Sequence, residues 1–350
     1  MQIDDSVEGD RSARAVLSHY WGEVAARGVF FRGIGGGFSG SRVWEVRFDS
    51  GPRYCLKRWP IPGPDRERLS HIHRLLAHLA AEHGIGIHSP PLVPTPLPTR
   101  EGATWTEFGG RLWELMPMLS GAPKLPDEVT PEVLAAAMQS VAAIHLAMDQ
   151  VARASPADFH GAGAVGPSPG LKKRREMAHR WYAEREKLAA AIPAARLPEP
   201  LRQKCTQLLV FSLPHLRALI QDPTWGTDPV PRSPCVGDLW YAHVLFDQSQ
   251  VSGIIDFGST RVDSVLTDLA RLLGSWNRTS EEEIAKALDV YSSFRPLTRV
   301  ERGAFAGFDR TSRVLSAIQW IEWLAVEQRP FDDWDAVSAR LDFVLARLPA

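Results

Sequence analysis

Val236-Gly237-Asp238-Leu239-Trp240-Tyr241-Ala242-His243-Val244-Leu245-Phe246 is followed at short distance by Ile254-Ile255-Asp256-Phe257-Gly258. Asp238 and Asp256 each end a short apolar run, and the turn-prone Asp247-Gln248-Ser249-Gln250 lies between them. The pattern predicts a hairpin that delivers both carboxylates to one cleft. Phosphoryl transfer asks for that pair of groups. One carboxylate orients and deprotonates an attacking hydroxyl, and the other holds the magnesium that bridges nucleotide phosphates. Asp238 is the candidate base and Asp256 the candidate metal ligand.

The chain around this stretch has 350 residues, 44% of them hydrophobic, which is enough for two joined cores. With 40 basic and 41 acidic residues the formal net charge is -1, so no overall field favours nucleic acid or an anionic membrane. A small hydroxylated molecule is the expected partner; composition leaves the oligomeric state open. Cys55, Cys205 and Cys235 are odd in number and widely separated, which argues against a disulfide framework and a zinc site and fits a reducing cytoplasm. The acidic start, Met1-Gln2-Ile3-Asp4-Asp5, does not read as a signal peptide, and no continuous apolar run of spanning length is visible.

Periodicity divides the chain into two parts. Residues 11–27 carry Ala15, Val16, Tyr20, Trp21 and Val24 at helical spacing. Runs at 29–34, 42–48 and 53–59, separated by glycine-rich turns, predict a meander of antiparallel strands. A helix follows over 65–83, and Gly109-Gly110 joins two further strands. The proline-rich segment 117–126 reads as a connector, giving a first lobe over 1–117 and a second over 118–350. The second lobe is predicted to be mostly helical, over 131–150, 170–190, 197–221, 265–277, 280–294, 299–328 and 332–348.

Several further residues carry chemistry in this frame. Gly35 to Ser41 form a turn whose backbone amides can approach phosphate oxygens, although glycine-rich hairpins are also common as plain structure. Lys57 lies inside the apolar strand Tyr54-Cys55-Leu56-Lys57-Arg58-Trp59, where a charge is costly unless paired or used. It could neutralise phosphates, with Glu67 on the next helix as first candidate partner, or it could be an edge-strand lysine facing water. Asp268 opens a helix as a cap and is placed to brace the catalytic loop. His145 lies on an apolar helix face and reads as core, and Lys172-Lys173-Arg174-Arg175 reads as a solvated basic face. His243 stands where a second metal ligand is expected, and its imidazole is softer than magnesium prefers. Three readings stay open for it: a ligand tuned toward manganese, a packed histidine beside a site needing only Asp256, or a lesion that disables catalysis.

Together these residues resemble the aminoglycoside phosphotransferase family, which includes choline kinase-like enzymes, over most of the chain from Gly35 to about Arg347. The resemblance implies an α+β protein-kinase-like fold, with a small antiparallel sheet and one helix in the first lobe and a larger helical second lobe. It implies that Gly36, Gly37, Phe38, Ser39 and Gly40 cover ATP and that Lys57 is the phosphate-binding lysine. Leu112-Trp113-Glu114-Leu115-Met116-Pro117 looks like the hinge that holds adenine, which makes Glu114 and Met116 cofactor contacts. The family pattern H-G-D-x-x-x-x-N stands here with Val236 for the histidine and His243 for the asparagine, so the base is kept and the metal ligand changed. The expected activity is transfer of the γ-phosphoryl group of ATP to a hydroxyl of an amino alcohol, a sugar or an aminoglycoside-like molecule, with Mg2+ or Mn2+. The alternative is a pseudokinase that binds nucleotide or a small ligand without efficient chemistry.

Overall fold

The computed structural model describes residues 5–27, 29–35, 38, 40–48, 51–84 and 92–348. They form two compact units that do not follow a single cut in the chain, because 131–154 and 242–260 fold with the N-terminal 124 residues.

The first unit is organised by five antiparallel strands in the order β1-β2-β3-β5-β4. These are β1 (Phe30–Gly35), β2 (Arg42–Arg47), β3 (Arg53–Arg58), β4 (Thr106–Phe108) and β5 (Arg111–Pro117). Gly109 and Gly110 join β4 to β5 with φ of 60° and 67°, the left-handed pair that a two-residue hairpin requires. Helix α1 (Asp5–Arg27) precedes the sheet and breaks at Gly22. Its Ala13, Val16, Leu17 and Tyr20, three and four apart, pack on Trp44, Val46, Leu56, Trp113 and Leu115 of the sheet. Helix α2 (Arg66–Ala81) starts where Asp65 caps the backbone N–H of Arg68, and buries Leu69, Ile72, His73, Leu75, Leu76 and Leu79. Helix α3 (Pro131–Ala154) buries thirteen side chains, His145 among them. Among the described residues it is the one helix long and apolar enough to cross a bilayer, and more than half of it is buried in the protein.

The second unit is mostly helical: α4 (Pro169–Ala183), α5 (Arg185–Ala194), α6 (Glu199–Gln221), α7 (Leu266–Ser275), α8 (Glu281–Phe294), α9 (Arg299–Ile321) and α10 (Trp334–Ala346). The helix expected over 170–190 is two helices, parted at Glu184 where φ is -92° and ψ 11°. The helix expected over 299–328 turns into a single π-turn at Glu322–Val326. Short ladders complete the unit, β6 (Val165–Gly166) with β7 (Val230–Pro231) and β8 (Ser233–Cys235) with β11 (Arg261–Asp263). The hairpin read from the sequence between the two aspartates is β9 (Val244–Asp247) with β10 (Gln250–Ile254), and it belongs to the first unit.

Candidate active site

Lys57 is the penultimate residue of β3, paired on one side with Val43 and on the other with Glu114 of β5. Its Nζ donates to Asp256 Oδ1 at 2.9 Å and lies 3.9 Å from the centre of the Trp59 ring. Burial works against the ammonium, but the carboxylates of Asp256 and then Glu114 outweigh it and raise its pKa. Asp256 shows the complementary effect. Burial pushes its carboxyl up, yet Lys57 and next His243 hold it down at about 2, so it is an anion at neutral pH.

Asp256 has φ 61° and ψ 69°, a left-handed conformation that aspartate tolerates better than most residues. Two residues on, Gly258 lies so close to the Trp59 ring that an added Cβ would stand 2.5 Å from Cη2. Only glycine lets the turn pass the indole on which Lys57 rests. From α2, Arg68 donates to the carbonyls of Gly258 at 3.4 Å and Thr260 at 3.1 Å and fixes the turn from outside. His243 closes the first unit's polar group. Its Nε2 is 3.6 Å from Asp256 Oδ2, and its carbonyl accepts from the backbone N–H of Ile255 at 3.0 Å.

The partner of Lys57 is therefore Asp256 and not Glu67, which is exposed in the first turn of α2. The side chain of Glu114 points inward and is almost fully buried, with Oε2 2.7 Å from His73 Nε2. The other ring nitrogen of His73 is 2.8 Å from Thr104 Oγ1. This buried group was not legible as a site, because His73 occupies a core position of an apolar helix face. Of the glycine-turn residues, Gly36, Gly37 and Ser39 lie outside the described residues. Gly40 adopts φ 79° and Phe38 is half-buried. Met116 lies half-buried in β5, opposite Cys55.

Asp238 belongs to the second unit and is held there by two different devices. Asp268 reaches back from the first turn of α7 and accepts from the backbone N–H of Val236 through Oδ2 and of Gly237 through Oδ1, both at 2.7 Å. It is fully buried and acts as a brace, not as a helix cap, since α7 starts after Val265 without a side-chain cap. Arg261 adds a bond to the Gly237 carbonyl at 3.0 Å. The Asp238 side chain, about half exposed, accepts from Arg271 Nε at 2.9 Å. Arg271 and Arg340 both stack over Trp240, at 5.9 and 5.5 Å from its ring centre. The signal for Arg271 was in the sequence, as the lone charge within Leu269-Ala270-Arg271-Leu272-Leu273. The basic run at 172–175 splits: Lys172 and Lys173 are exposed, whereas Arg174 bonds the Phe308 carbonyl and Thr311 Oγ1, each at 3.1 Å. Trp181, Trp276 and Trp320 are buried core residues.

Among the described residues no group of three or more His, Cys, Asp or Glu side chains could hold a metal ion unaided. One ionised carboxylate with an imidazole beside it fits instead a divalent cation that arrives with nucleotide phosphates and completes its shell with their oxygens.

Comparison with known proteins agrees with this chemistry. The phosphotransferase enzyme family matches residues 31–305. A homoserine kinase of Cupriavidus metallidurans is 26% identical over 315 residues, covering 86% of this chain and 83% of the relative. An amicoumacin kinase solved in complex with AMP-PNP and Ca2+ superposes with a TM-score of 0.58 at 14% identity, covering 99% of this chain and 95% of that one. A microcompartment-associated aminopropanol kinase gives 0.56 at 15% identity, covering 95% and 94%. At such identities the structural likeness shows the fold alone, an α+β protein-kinase-like arrangement of a small antiparallel sheet and a larger helical region. The family match over most of the chain goes further: this protein belongs to the phosphotransferase enzyme family and is a small-molecule kinase that acts on hydroxyl acceptors.

Proposed function

We propose that the chain transfers the γ-phosphoryl group of ATP to a hydroxyl of a small polar molecule, with nucleotide handled by the first unit, to which 242–260 belong, and the acceptor by the second. The observation that carries this reading is the Lys57–Asp256 ion pair at 2.9 Å, which keeps one cation and one anion ionised beside the Trp59 indole. Lys57 takes the nucleotide phosphates. Asp256, with His243 beside it, holds Mg2+ or Mn2+, which when bound neutralises charge on the phosphates. Gly36, Gly37, Phe38, Ser39 and Gly40 cover the phosphates, and the β5 backbone from Glu114 to Met116 receives adenine. We assign Glu67 no role, because Lys57 has its partner in Asp256.

Asp238 orients the acceptor hydroxyl and takes its proton as the oxygen bonds to the γ-phosphorus and the bond to the ADP oxygen breaks. Arg271 fixes the direction of that carboxylate, and Asp268 fixes the backbone that carries it. Relatives named homoserine kinase that match 80–86% of this chain support an acceptor of amino-acid or amino-alcohol size. The three free thiols support action in the cytoplasm.

ATP consumption against a panel of hydroxylated metabolites, with Mg2+ and Mn2+ in parallel, tests this directly. Asp238→Asn is expected to lower kcat by roughly 10²–10⁴-fold while nucleotide affinity stays within a factor of about three. A wild-type protein whose melting temperature rises with ATP but which turns over no acceptor with either metal would overturn the reading in favour of a nucleotide-binding pseudokinase.

A further inference from the structure

Five arginines surround the catalytic-loop region of the second unit, and four of them have an oxygen partner. Arg271 bonds Asp238, Arg261 bonds the Gly237 carbonyl, Arg174 bonds the Phe308 carbonyl and Thr311, and Arg347 bonds Asp309. Arg340 differs. Half-buried on α10, its guanidinium carbon lies 5.5 Å from the ring centre of Trp240 and 4.7 Å from that of Phe343, and among the described residues it has no hydrogen bond or ion pair. Burial disfavours its charge, and so do Arg271 and Arg347, while Tyr241 and Asp238 are the groups that favour it.

A guanidinium removed from much of the water, facing other cations and lacking a directly bonded counter-ion, is a costly arrangement that an arriving anion would relieve. The two rings contact the guanidinium as a cation and leave its N–H groups as the binding element. The same surroundings work against a polyamine: an aminoglycoside would bring several ammonium groups toward a cluster of arginines. Trp240 links the features, because its ring carries both Arg340 and the Arg271 that orients Asp238.

We propose that Arg340, backed by Trp240, binds a carboxylate of the acceptor, so that the substrate is a small hydroxy acid and not an amino alcohol or an aminoglycoside. This rests on the phosphotransferase reading above and names its acceptor class. One unpaired guanidinium suits a planar monoanion, with which it can form two parallel bonds.

The test compares L-homoserine with two analogues that keep its hydroxyl: L-homoserinamide, which neutralises the carboxylate, and 3-aminopropan-1-ol, which lacks it. Wild-type protein is expected to favour homoserine over each analogue by about 10- to 100-fold in kcat/KM. Arg340→Gln should collapse that ratio toward one, and Arg340→Lys should restore part of it. Equal use of acid and amide by the wild type, or an Arg340→Gln variant that keeps the full preference, overturns the assignment even where phosphoryl transfer is robust. Preference for a phosphate ester such as glycerol 3-phosphate overturns the carboxylate in particular. If no acceptor is phosphorylated, the phosphotransferase reading fails separately. Binding of homoserine against its amide, read by calorimetry on wild-type and Arg340→Gln protein, then decides whether the anion site exists.

Discussion

Lys57 and Asp256 are 199 residues apart in sequence, and their charged atoms meet at 2.9 Å. Lys57 is 14% exposed at its side chain and Asp256 37%, so the pair is neither a surface bridge nor a fully buried one. Lys57→Met removes the cation and leaves two carboxylates, Asp256 and Glu114, without it. The expected loss is about 1–3 kcal/mol by urea denaturation, between the values for exposed and buried pairs. KM for ATP should rise by about 10- to 100-fold, since a charge-assisted contact to phosphate is lost. A variant with wild-type KM for ATP would remove Lys57 from the nucleotide site.

Glu114 has its carboxylate 2.7 Å from His73 inside the first unit, directly across the ladder from Lys57. His73→Ala leaves a nearly fully buried carboxylate without that partner and opens space beside it. A loss of about 2–4 kcal/mol is expected. Glu114→Gln keeps the shape and should cost less. It withdraws one of the two carboxylates that favour the lysine cation, so a rise in KM for ATP should accompany the small stability loss. If His73→Ala melts with the wild type, the pair contributes nothing.

The sheet, its Gly109-Gly110 turn and the apolar faces of α2 and α3 were legible because they depend on local periodicity and on turn residues with one main use. Asp238, Asp256 and Lys57 stood out as charges set in apolar runs. What could not be read was pairing across the chain. Glu67, on the next helix, was the first candidate partner for Lys57, whereas the structure supplies Asp256 through a turn that only Gly258 allows past Trp59. Glu114 looked like part of a backbone hinge, and its side chain instead answers a histidine hidden on a helix face. Arg340 lies too far along the chain for any spacing to connect it with Trp240.

Asp268 holds the backbone at Val236, where the family pattern has histidine. The loop is held through its backbone, by two N–H groups that donate to one buried carboxylate, and this does not depend on the side chain at 236. Asp268→Asn replaces one acceptor oxygen with an NH2 group that faces an N–H donor. It should destabilise by about 1–3 kcal/mol. A small shift of Asp238 should lower kcat by about 10²-fold, with a much smaller change in KM for ATP. Equal loss in both parameters would mean general unfolding instead of misplacement.

The cysteines give a check that is independent of catalysis. Burial pushes Cys55 up to about 12 even though Lys57 pulls the other way, raises Cys205 to about 12, and raises Cys235 well above the ordinary thiol range. Raised values keep all three protonated and poorly nucleophilic at pH 8. Native protein should therefore resist a thiol reagent at that pH and react only after unfolding. Rapid labelling of folded protein would show that one of these sites opens.

His243 places an imidazole nitrogen 3.6 Å from Asp256 Oδ2, too long for a hydrogen bond and close enough for both groups to face one cation. An imidazole favours a softer ion than the amide oxygen of asparagine does. His243→Asn is therefore expected to shift the ratio of Mn2+- to Mg2+-supported turnover toward magnesium, by on the order of tenfold. A ligating imidazole must also be neutral, so metal affinity in the wild type should fall as acid protonates it, and that fall should disappear in the variant. If the metal ratio and the pH profile both stay where they were, His243 serves only as a charge beside Asp256 and the cation is held by the carboxylate and the phosphates alone.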